Sequence, residues 1–112
     1  MRVATIMTLF NMRFKVAILR TTLAECGFAS SAEISKCTDL IGIVNRAGKD
    51  ECCEQDYFTA CASHADFEGC ANHASRKGWH DLAVKFSDAA CAVSELITHH
   101  LIGVFDYPLA TE

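Results

Sequence analysis

Seven cysteines and five histidines in a chain of 112 residues are the groups best suited to chemistry, and four of them fall in a short internal repeat. Cys61-Ala-Ser-His-Ala-Asp-Phe-Glu-Gly69 is followed at once by Cys70-Ala-Asn-His-Ala-Ser-Arg-Lys-Gly78, with five of nine positions identical. Each copy carries Cys-x-x-His. On a helix a cysteine and a histidine three residues apart share a face, so each copy could offer one sulfur and one nitrogen to a zinc or copper ion. The period works against a single site. Nine residues advance a helix by about two and a half turns, which sends the second pair to the opposite side. A break at Gly69 would bring Cys61, His64, Cys70 and His73 together as a tetrahedral zinc site, and half-sites completed across a dimer or with His80 and Cys91 are alternatives. Without such convergence the cysteines read as small buried hydrophobes and no cofactor is implied.

The same pairs have the local spacing of a Cys/His dyad, as a thiol enzyme or a cysteine-based redox sensor would use. Acids around Cys61 disfavour its thiolate, whereas Cys70 lies near His73, Arg76 and Lys77 in the chain. Cys-x-x-Cys, glycine-rich phosphate loops, Gly-x-Ser-x-Gly and His-Glu-x-x-His do not occur. The odd number of cysteines and the lack of an export signal point to reduced thiols in a cytoplasmic protein. Binding, rather than catalysis, is the leading expectation.

Helices must position these groups. The first segment ends in a helical run closed by Gly27, although Met12 to Ile18 also alternates like a strand and could pair with Val3 to Phe10. An α+β fold with an N-terminal hairpin is therefore the alternative to an all-α one. Ser30-Ser-Ala-Glu33 forms a capping box before Ile34, Cys37, Ile41 and Val44, and Gly48 closes that second helix. The third starts from Asp50 as N-cap, with a seam of Cys53, Tyr57, Ala60 or Cys61, His64, Phe67 and Ala71, and reaches Lys77 if Gly69 is tolerated. In the fourth, Asp81 caps a face of Leu82, Phe86, Ala89, Val93, Leu96 and His100 that runs to Gly103. Short connectors make neighbours antiparallel. The expectation is a single all-α domain over residues 1–112, an up-and-down bundle of about four helices whose residues 104–112 form an extended tail past Pro108.

Charge is unevenly spread under a net of −4. Arg2, Arg13, Lys15 and Arg20 meet no acid before Glu25, while Asp50, Glu51, Glu54, Asp56, Asp66 and Glu68 have no Lys or Arg between them. The acidic surface repels phosphate and excludes nucleic acid as a partner. No run of about 18 uncharged apolar residues is present to span a membrane. The first segment carries more apolar surface than one stripe can bury in a small bundle, which self-association would cover. Trp79, at the turn between the last two helices, with Tyr57 and Phe67, is the candidate partner-binding set. The sequence thus reads as a protein acting through protein–protein contacts, either as a homodimer or as a small acidic adaptor or inhibitor.

Overall fold

The computed structural model describes residues 3–28 and 30–105, with side chains from residue 8 onward except that of residue 105. It comprises α1 (Val3–Glu25), α2 (Ala32–Gly48), α3 (Glu54–Arg76) and α4 (His80–Leu96), the last prolonged by a π-helical turn (Ile97–Leu101) and a 3-10 turn (Ile102–Phe105). No strand occurs among the described residues, so the fold is all-α and the N-terminal hairpin is set aside. The alternation of residues 12–18 is overruled by packing: Leu9, Met12, Val16, Leu19 and Leu23 recur every three or four positions and are all buried. Phe10 and Phe14 belong to a second apolar stripe and stay exposed. Of the tail, residues 104 and 105 lie in the 3-10 turn and residues 106–112 lie outside the described residues.

Cross-helix pairs fix the topology. Arg13 reaches Asn45 and Arg20 reaches Thr38; Arg46 pairs with Asp56 and Lys36 with Asp66. In each case numbers rise on one helix as they fall on its neighbour, so α1/α2 and α2/α3 are antiparallel. Extensive packing joins α1 to α2, α1 to α4 and α3 to α4, whereas α2 and α3 touch sparsely and α1 and α3 hardly at all. The result is an up-and-down bundle with α1 and α3 on opposite corners. Phe67 of α3 meets Phe86 of α4 with ring centroids 5.9 Å apart, inside a core that also holds Leu19, Leu40, Ile43, Val93 and Leu96. Each such side chain contributes roughly 1.5–3 kcal/mol by leaving water.

Three helices end in the same backbone device. After α1, Phe28 N donates to Leu23 O and Gly27 N to Ala24 O; after α3, Trp79 N donates to Ala74 O and Gly78 N to Ser75 O; after α2, Glu51 N donates to Arg46 O and Asp50 N to Ala47 O. These are Schellman closures, which need a left-handed residue at the penultimate place. Gly27 (φ 91°) supplies it as expected and Gly78 (φ 79°) does so after α3, but after α2 it is Asp50 (φ 61°) and not Gly48, which remains the last helical residue. Asp50 is consequently not the N-cap of α3. That place is held by Cys53, whose N–H donates to the Asp56 carboxylate at 3.2 Å. The cap of α2 is Ser31 rather than Ser30, its hydroxyl accepting from Ile34 N at 3.4 Å, and α4 starts from Trp79, with Asp81 in the first turn bound to Lys85.

The seam of α4 also departs from regularity at its end. Leu82, Phe86, Ala89, Val93 and Leu96 are buried, and the next fully buried residue is Leu101, five positions on. A regular helix would put His100 there. The π-turn inserts one residue and delivers a leucine to the core, leaving His100 half-buried.

Candidate functional site

Helix α3 runs unbroken through Gly69, so the two Cys-x-x-His pairs lie on opposite sides, as the nine-residue period requires. His64 pairs with Glu68 at 3.7 Å beside Cys91 of α4, and Cys61 sits against Tyr57, whose phenol it holds above its usual range. Cys70 and His73 instead face the gap towards α2. Cys61, His64, Cys70 and His73 therefore do not converge, and no cluster of three or more His, Cys, Asp and Glu able to hold a metal ion occurs among the described residues. The zinc or copper site expected from a break at Gly69 does not fit this arrangement.

Three of the thiols, Cys37, Cys52 and Cys70, are held away from reactivity by burial, whereas Cys26, Cys53 and Cys91 are exposed. All seven are free. Burial pushes Cys37 up to about 12 and Cys52 up to about 11, the latter also donating to Ile43 O at 3.6 Å. Cys70 is raised too, first by burial and then by Glu33 and Asp66, with Lys36 opposing. Its neighbours across the gap are acids of other turns and helices, which the adjacency of Arg76 and Lys77 in the chain does not disclose. A nucleophilic thiolate needs the reverse shift.

What the structure does assemble around Cys70 and His73 is an apolar groove of about 540 Å³. The salt-bridged pairs set α2 against α3 so that Ala32 falls opposite Cys70, and α3 then continues to Arg76 with no α2 beside it. Its last turns form one wall. The α3 side carries the small residues Ala65, Gly69 and Ala74 beside Asp66, Cys70 and His73, and a Cβ at Gly69 would meet nothing within 4 Å. Leu23, Leu82 and Phe86 form the floor. Two aromatic residues bracket the opening, Phe28 at 42% and Trp79 at 46% exposure. Both occupy the residue after a left-handed glycine, where Schellman geometry folds the chain back over the helix end and turns an apolar side chain towards it. His73 meets Trp79 edge to face at 5.9 Å, and the polar rim is Glu33 together with Asp66, which Lys36 neutralises at 3.3 Å.

Of the three aromatics expected to bind a partner, only Trp79 lies here. Phe67 is fully buried, because position 67 shares the inward stripe of Ala60, Ser63 and Ala74. Tyr57 is half-buried near the start of α3, 17 residues before Ala74 and thus about 25 Å of helix rise away. Phe28 was the missing member. Its signal in the sequence is the dipeptide Gly27-Phe28, the counterpart of Gly78-Trp79.

The opposite end of the bundle holds a larger, polar cavity of about 800 Å³ between the α2–α3 loop and the π-turn, lined by Asp50, Cys52, Cys53, Glu54, His99 and His100 among others. Beside it Arg46 grips Asp56 through two hydrogen bonds of 3.1 and 2.8 Å. That contact, with the Cys53 N–H, holds the Asp56 carboxyl below the usual carboxylate range despite its burial. Burial pushes the His100 imidazole down, and the neighbouring His99 adds to this. Compared with known protein families, curated proteins and solved structures, the chain matches none.

Proposed function

We propose that the protein acts by binding another polypeptide, and that the groove bracketed by Phe28 and Trp79 receives apolar side chains from a helix of the partner. The observation that carries this reading is the pair of aromatic residues left half in water around an apolar floor. Aromatic anchors of this kind dominate binding energies, because they bury a large area at small cost in side-chain entropy. A groove running along one helix and open at the bundle end suits a helix presenting residues at i and i+4. Glu33 on the rim favours a basic residue beside those apolar ones. No helix among the described residues is long and apolar enough to cross a membrane.

Photocrosslinking tests the reading. A benzophenone side chain placed at Gly69, where a Cβ has open space, is expected to give a discrete adduct with one polypeptide, abolished by Leu82→Asp in a variant whose helicity by circular dichroism is retained. Trp79 is the single tryptophan, so its emission should shift to the blue in the purified complex. Adducts with small molecules alone, or equal labelling from a benzophenone at exposed Ser35 on the outer surface of α2, would overturn it.

A further inference from the structure

Two other faces are unusually aromatic for a surface, and their charges are opposite. On α1, Phe10 and Phe14 are 51% and 55% exposed, one helical turn apart, with the Arg13 guanidinium 5.4 Å from the Phe10 ring centroid and Lys15 exposed alongside. No acid precedes Glu25 on this helix. On α3, Phe58 is 58% exposed and lies one turn after Glu54. Asp56 and Asp66 are engaged by Arg46 and Lys36, while Asp50, Glu51 and Glu54 are exposed. This face stays acidic even with Lys49 just before it.

Helices α1 and α3 occupy opposite corners and hardly touch, so one copy cannot bring the two faces together. A second copy can. We infer that the protein self-associates head to tail, the basic aromatic face of α1 in one copy resting on the acidic aromatic face of α3 in the next. The contact uses two different patches and is heterologous, so it repeats until it closes a ring or continues as a filament. Opposite charges steer the encounter and fix its register, and the phenylalanines supply the apolar area. An anionic membrane would satisfy α1 alone and leave the exposed phenylalanine of an acidic helix unexplained.

Analytical ultracentrifugation of the full chain, from micromolar to millimolar concentration and at low and high salt, tests this inference. The apparent mass of the wild type is expected to rise with concentration and fall with salt. Phe14→Ala with Lys15→Glu on α1, and Glu51→Lys with Glu54→Lys on α3, should each weaken association at least about tenfold. These positions are exposed, and circular dichroism checks that both variants are folded. A stronger α1 variant, Arg13→Glu with Lys15→Glu, should re-associate when mixed with the α3 charge-reversal variant, because each then offers a face complementary to the other. Trp79→Ala should leave this association unchanged, which separates it from the groove. The inference is overturned if the wild type stays monomeric throughout, including the case in which it binds phosphatidylserine vesicles as a monomer. It is also overturned if both charge variants associate normally, if the mixture does not recover, or if Trp79→Ala abolishes the assembly.

Discussion

The two ends of the bundle solve the same problem, closing a helix and starting the next, with opposite chemistry. At the end carrying the α2–α3 loop, a carboxylate is taken out of water and both its oxygens are engaged: Asp56 accepts from Arg46 twice and from Cys53 N, and no buried side-chain polar atom among the described residues lacks a partner. At the other end, glycine closures turn Phe28 and Trp79 over an apolar gap and leave both half exposed. A polar end cannot be left incomplete, because an unpaired buried charge costs several kcal/mol. An apolar end can remain open at a smaller cost, and there the protein retains surface for another chain.

Substitutions at the two ends should therefore differ most in stability. Asp56→Ala removes the partner of Arg46 and the cap of Cys53 together, and should lower the unfolding free energy by about 2–3 kcal/mol, the half-exposure of Arg46 softening the loss. Trp79→Ala should cost about 0.5 kcal/mol or less, as surface changes do. Urea denaturation of both variants measures the contrast, and equal losses would break the distinction between a hydrogen-bonded polar end and an apolar one.

The closures themselves should respond with opposite signs. Gly78→Ala forces a Cβ into a left-handed residue with nothing else nearby, so the expected loss of about 1–2 kcal/mol is purely a backbone effect. Asp50→Gly relieves the same conformation at the polar end and should stabilise by about 0.5 kcal/mol, the greater freedom of the unfolded chain offsetting part of the gain. Thermal midpoints of the two variants, moving apart from the wild type in opposite directions, sharpen the comparison.

The smallest expected effect is a pH dependence confined to the polar end. His100 has a folded pKa below its ordinary 6.5, so between the two values the unfolded chain binds more protons and stability falls as the pH drops through about 6.5. Asp56 has a folded pKa below its ordinary 3.8, and its contribution, present above that value, is lost only at lower pH. His100→Gln should flatten the upper step and leave the acidic one. Midpoints of urea unfolding from about pH 2 to about pH 8 check it, a window that spans both the carboxylate and the histidine ranges.

The fourth helix was legible because a single apolar stripe, Leu82 to Leu96, has one solution on a cylinder. The first was ambiguous for the converse reason. Its two stripes could each face inward, and only packing against α2 and α4 chose Leu9–Met12–Val16 over Phe10–Phe14. Helix ends read well where glycine is the sole residue suited to a positive φ, as at Gly27 and Gly78, and failed at Gly48, where the chain ran two residues further and used Asp50. Of the candidate site, Trp79 was visible as a large aromatic at a turn. The groove was not, since it depends on how the ends of α1, α2, α3 and α4 pack around one another, a tertiary relation that no local pattern encodes. The Cys-x-x-His repeat misled in the other direction, because similarity in sequence at a nine-residue period becomes opposition in space once the helix does not break.

The π-turn at Ile97–Leu101 gives the last helix one residue of slack. Because the widened turn exists to carry Leu101 past the place a regular helix would assign to His100, shortening the segment by one residue would let ordinary helical geometry seat the same leucine. The length of the joint, more than its composition, thus selects which neighbour enters the core and which imidazole remains at the edge of the polar cavity.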